Sequence, residues 1–196
     1  MALAKNATII PSAAAWVAVL DENLTKSVHM DLTDAYSASL ALYLAPTEAV
    51  ASSGATIRIE VCYATTGIWT PYQSFTSQSF TPKTDAISTG GVSATDTDIG
   101  LDDANFSVGD YALIYESTYI AGSEIIQLIS DGTAYVFNLA DQIIASHAAT
   151  IPVFEVKNQW VIELPDSANW VRVIVDNLTG GCNMLLKSHI MKIQSV

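Results

Sequence analysis

The chain has 196 residues, half of them apolar and 14% charged, with 8 basic against 20 acidic side chains and a formal net charge of −12. Such a composition excludes a disordered chain, and the length allows one good core, or one core and a small second one. The eight cations are scattered singly, so no phosphate-binding face is expected and nucleic acid is set aside as a partner.

Ala, Ser and Thr are abundant, β-branched residues are common, and runs of helix formers are missing, so the chain reads as all-β. Residues 1–26 hold Trp16 as an anchor and read as an extended arm, an edge strand or a short helix beginning at Ser12. The opening stretch imitates a signal peptide, but Asn6, Thr8, Pro11 and Ser12 break its hydrophobic centre. No run approaches the ~18 apolar residues that span a bilayer, so no membrane partner is expected.

Alternation then sets in. Val28, Met30 and Leu32 share one face, as do Leu40, Leu42 and Leu44. Over Ala55 to Thr65, Ile57, Ile59, Val61 and Tyr63 oppose Thr56, Arg58, Glu60 and Cys62, a period of two that helical spacing would scatter. Trp69 to Gln73 contains Pro71 and is expected to be an edge or loop-like strand.

Between Lys83 and Lys157 there is no Lys or Arg. Eleven acids fall there: Asp85, Asp96, Asp98, Asp102, Asp103, Asp110, Glu116, Glu124, Asp131, Asp141 and Glu155. Tyr111 to Glu116, Glu124 to Ser130, Ala134 to Leu139 and Thr150 to Val156 read as short strands, with Asp131-Gly132 as a hairpin turn and one helical turn over 141–147. That many short strands can close a small barrel, which removes exposed edges. Gln159 to Leu164, Asn169 to Asp176 and Asn183 to Val196 then return to a near-neutral body, where Val171, Val173 and Val175 make one face wholly apolar.

The expected fold is an antiparallel β-sandwich (jelly-roll or Ig-like), built from 1–94 and 153–196. Residues 95–152 form an inserted, acidic, β-barrel-like module.

Catalytic signatures are missing. The sequence has no HExxH, no GxSxG elbow, no P-loop and no GxGxxG, and nothing singles out a pair of carboxylates. We therefore expect neither an enzyme nor a cofactor. Cys62 and Cys182 lack CxxC spacing and read as two buried thiols outside any disulfide. His29, His147 and His189 are widely separated, and His29 and His189 lie in strand-like runs at a core edge or the surface.

Asp96, Asp98 and Asp102, alternating around Gly100, resemble half of a calcium loop, since a hard cation gathers carboxylate and carbonyl oxygens. The spacing fails in detail, because Gly100 is fifth instead of sixth and the twelfth position is Ser107. A solvated turn is the better reading. Trp69, in a loop beside Gly67 and Pro71, and Trp16 are the interaction candidates. Trp160 and Trp170 sit in strands, where burial or subunit contact accounts for them.

The order of Trp16 arm, Ile57-Arg58-Ile59-Glu60-Val61 strand, Trp69 loop, Gly109-Asp110 insertion and Asn169-to-Asn177 strand resembles small accessory virion proteins of tailed bacteriophages, the head decoration or cement class. That resemblance implies a structural protein of the virion, assembled in the host cytoplasm. Its partners would be the major capsid protein or other virion proteins and further copies of itself, a trimer being the natural symmetric guess. The alternative is a carbohydrate- or receptor-binding adhesin module that uses exposed aromatics and acidic loops.

Overall fold

A computed structural model describes residues 5–19, 24–26, 29–33, 35–51, 54–63, 67–131, 135–177 and 182–195, with 5–19, 24–26, 36, 120, 131, 177, 194 and 195 described by backbone alone. The described residues are built from antiparallel sheets, and the chain divides into two compact units. The first comprises 1–44, 52–80 and 158–196; the second comprises Ala45–Ala51 and Thr81–Lys157.

In the first unit the strands are β1 (Lys5–Val19), β2 (Leu24–Lys26), β3 (Met30–Asp31), β4 (Ala35–Pro46), β5 (Ala55–Cys62) and β6 (Thr70–Thr76). The second unit supplies β7 (Thr84–Ala86), β8 (Asp98–Gly100), β9 (Tyr111–Ile114), β10 (Glu124–Asp131), β11 (Val136–Leu139) and β12 (Pro152–Glu155). The chain then returns to the first unit with β13 (Asn158–Glu163), β14 (Trp170–Asn177) and β15 (Met184–Ser195).

Two sheets make the first unit, in the orders β1-β15-β4-β13 and β2-β14-β5-β6, with β3 also on β14. The arm that opens the chain is thus a strand, paired along most of its length with β15. Period-two patterning decides what each strand buries. Leu40, Leu42 and Leu44 of β4 join Ile57, Ile59 and Val61 of β5, all at 0% exposure, in one core that Val171, Val173 and Val175 of β14 complete. Both sheets therefore give one face to the same core. β6 is an edge strand, and Pro71 falls where its register against β5 shifts, a place where a missing N–H costs no ladder bond.

Gly54 shows how tightly the entry to β5 is fitted. It sits at φ +91°, and a Cβ there would meet the Ser77 carbonyl oxygen at 2.7 Å. Ser77 in turn donates its N–H to Ala55 O and accepts the Ala55 N–H at its hydroxyl, both at 2.8 Å. Gly54→Ala is expected to cost more than about 1 kcal/mol, because Ala is strained at positive φ and the close oxygen is main chain. A fall in the urea midpoint checks this, and an unchanged midpoint refutes it.

In the second unit a single sheet, ordered β7-β12-β9-β10-β11-β8, curls into a half-barrel. Its edge strands meet through an Ile87–Leu101 bridge, with Ser88 N–H donating to Gly100 O at 2.9 Å and Asp102 N–H to Ala86 O at 3.1 Å. Ile87, Ile99, Ile114, Leu128, Phe137 and Val153 belong to its separate core. Because β7 pairs with β12, the unit takes in residues on the N-terminal side of 95 and the C-terminal side of 152.

No helical turn forms over 141–147. The segment bends because the Glu124 carboxylate accepts the Ile144 and Ala145 amides, at 2.9 and 3.3 Å, while His147 bridges to Val92. The Asp131-Gly132 turn lies outside the described residues at Gly132, although β10 and β11 pair as its hairpin requires. Among the described residues no helix is long and apolar enough to cross a membrane.

Candidate functional site

In the first unit a cluster of polar and aromatic side chains lies on the side of β5 and β14 that faces away from the core. Alternation puts Arg58 and Glu60 on that side of β5, and the β14 register sets Arg172 directly opposite Glu60. Both arginines of the chain converge there on one carboxylate. Arg172 donates from Nε and Nη2 to Glu60 Oε2 at 2.8 and 2.7 Å, and Arg58 Nε lies 3.1 Å from Oε1. Glu60 is buried; Arg58 keeps a half-exposed side chain.

Trp69 completes the group. The Arg172 guanidinium carbon stands 4.3 Å from its ring centroid, a cation–π distance, and the His29 ring is 4.8 Å away at a 50° tilt. The predicted platform is therefore half-buried, with a guanidinium on its ring. Neighbours in sequence are more open: Ile68 is 72% exposed, with Tyr63 and Tyr72 also exposed. Trp, Tyr and Arg are the residue types that dominate contact energy at protein interfaces. The cluster brings two guanidinium groups, an indole and an imidazole to one surface around the Glu60 carboxylate.

The remaining candidates fall apart in space or lie elsewhere. The Asp96 carboxylate accepts the Ser93 N–H at 2.8 Å, Asp98 is an exposed β8 residue, and Asp102 is exposed. Among the described residues no group of three His, Cys, Asp or Glu is placed to hold a metal ion, so these three aspartates are not brought together as a calcium loop. Trp16 lies on β1 opposite Lys187, and its side chain is outside the described residues. Trp160 tilts against Phe75 at 4.9 Å and packs on the first core. Cys62 and Cys182 are both buried and outside any disulfide. His189 stacks on Tyr43 at 6.0 Å, and burial, with Lys187 behind it, pushes its imidazole below the usual histidine range.

Two clusters of the second unit were not legible in the sequence. Lys83 bonds Asp110 Oδ2 at 2.6 Å and approaches Glu155 at 3.5 Å; its ammonium is held above the usual lysine range by the Asp110 bond, against the opposing effect of burial. His147 lies between Glu116 and Glu124. Partners 23 to 72 residues apart leave no spacing motif to find. The only signal was negative: a cation-free stretch must satisfy any buried carboxylate with the residues that remain.

Comparison with family models, with curated proteins and with solved structures returned no match.

Proposed function

We propose that this chain is a non-enzymatic structural protein of a phage virion, a capsid decoration or cement protein that binds the head surface and assembles symmetrically. One observation carries the reading. Most of the acidic residues belong to a unit with its own core, and the charges of the other unit nearly balance. A displayed unit rich in carboxylates stays soluble and repels like-charged neighbours, while a near-neutral body approaches a protein surface without that penalty. In this reading the two sheets that share the body core are a β-sandwich of the jelly-roll or Ig-like kind.

The Arg58, Arg172 and Trp69 surface suits protein contact better than it suits the alternative, a glycan-binding adhesin. A sugar platform needs an open ring face, and Trp69 carries a guanidinium. Purified protein added to capsids that lack it should bind to saturation in a fixed ratio to the major capsid protein, measured by co-sedimentation. A monomer that leaves the capsids bare sinks the proposal.

A further inference from the structure

The second unit contains a buried histidine that neither the fold's hydrophobic core nor the proposed docking function employs. His147 has a side chain at 0% exposure, and both ring nitrogens end on carboxylates: Nδ1 on Glu116 Oε1 at 2.8 Å, Nε2 on Glu124 Oε1 at 2.6 Å. A neutral imidazole has one N–H and one lone pair, so it can donate to only one of these oxygens. The other nitrogen would set its lone pair against a carboxylate at hydrogen-bond distance. With both carboxylates ionised, only the imidazolium satisfies both ends. We propose that Glu116, His147 and Glu124 form a proton-locked clasp, in which one buried proton holds the 143–147 segment to the β9–β10 hairpin and its loss frees that segment.

The surroundings show what the clasp ties together. Glu116 follows β9 and is positioned by its own N–H, which donates to the Ser123 hydroxyl at 2.9 Å. Glu124 opens β10 and spends its remaining capacity on the Ile144 and Ala145 amides. The backbone of His147 exchanges both bonds with Val92, at 2.9 Å each way. On that side the main chain runs close, and a Cβ on Gly91 would meet His147 O at 2.5 Å. Glu116 and Glu124 are the charged groups that act on the ring from the elements packed around it. The β9–β10 hairpin and the 143–147 segment therefore meet at one imidazole, while Val92 holds the same residue by its backbone.

Backbone strain is stored beside it. Thr95, at φ +78°, donates its N–H to Ile143 O at 2.7 Å, and Thr150, at φ +70°, donates to Ile87 O at 2.8 Å. Positive φ is unfavourable for a β-branched residue and persists only where the surroundings enforce it. Thr95 thus holds the first residue of the clasped segment, and Thr150 follows three residues after its end.

Titration directions agree with the geometry. Burial pushes His147 down, but its bonds to Glu124 and then Glu116 outweigh this and hold it above the usual histidine value. For Glu124, burial pushes up and is outweighed by the bonds from His147, Ile144 and Ala145, leaving it below the usual carboxylate value. A raised histidine stabilises fully below its ordinary pKa of about 6.5, and that stability is lost as pH rises through the raised value. A depressed carboxylate stabilises above its ordinary pKa of about 4.3, and its contribution is lost as pH falls through the lowered value. The clasp is closed between these limits and opens on the alkaline side when the imidazolium gives up its proton.

The test is an NMR titration of the full chain from pH 5 to 9, following the His147 ring and the protection factors of the Val92, Ile144, Ala145 and His147 amides. The ring should titrate above the usual histidine value. The four amides should lose protection together above that midpoint, by up to about tenfold per pH unit, the limit for one linked proton. Amides of β5 should stay level. Glu116→Gln retains an acceptor and removes a charge, so the midpoint should fall while the fold persists. Level protection factors across the range, or a midpoint that Glu116→Gln does not lower, overturn the clasp.

Discussion

Cutting Ile114 back to Ala is expected to unfold the acidic unit early while the body melts where it did before. Ile114 is fully buried in the half-barrel core, and its strand is paired on both sides, to Glu124 on β10 and to Val153 on β12. No loose edge can move in to fill the gap, so the loss should fall in the range of about 2–5 kcal/mol measured for such truncations. The chain supplies its own reporter. All four tryptophans (Trp16, Trp69, Trp160 and Trp170) belong to the body, whereas Tyr111, Tyr115, Tyr119 and Tyr135 lie in the acidic unit. In urea, Trp fluorescence of Ile114→Ala should keep the parent midpoint while far-ultraviolet circular dichroism acquires an earlier step. Ile59→Ala, an equally buried change in the body, should move the Trp transition instead. If Ile114→Ala shifts both signals together, the two cores unfold as one cooperative system.

The features that favour this separation were partly visible in the chain. Ile57, Ile59 and Val61 on β5, and Val171, Val173 and Val175 on β14, announced their faces because a strand's side-chain period of two maps directly onto burial. Pro71 marked an edge strand because a central strand has no place for a residue without an N–H. Other features depended on contacts that no local pattern encodes. The segment 141–147 has a plausible helical composition, yet Glu124 takes two of its amides and Val92 pairs with His147, so the helical ladder loses its donors. Trp69 looked like an open ring in a Gly- and Pro-flanked loop. Its guanidinium partner is Arg172, more than a hundred residues later, brought there by the β5–β14 register. Sequence spacing displays faces; it does not display which faces meet.

The cluster at Glu60 gives the other large expectation. Arg172→Met should destabilise the body by about 2–4 kcal/mol, at the lower side of the cost of breaking a buried pair. The buried Glu60 carboxylate loses two charge-assisted bonds, and Arg58, whose side chain is 44% exposed, is left as its only arginine partner. Trp69 loses a cation–π contact at the same time, worth about 0.5–2 kcal/mol in comparable settings. Most of the cost is the stranded charge, not the missing attraction, and that makes a decisive comparison possible. In Glu60→Met/Arg172→Met no carboxylate is left unpaired, so the double variant should recover most of the stability lost by the single one. Urea denaturation followed by Trp fluorescence measures both, and a double variant no more stable than Arg172→Met alone would place the loss in the packing around Trp69 instead. The same pair separates fold from docking. A double variant that is stable yet fails to bind capsids identifies the guanidinium surface as a contact, because the body beneath it is intact.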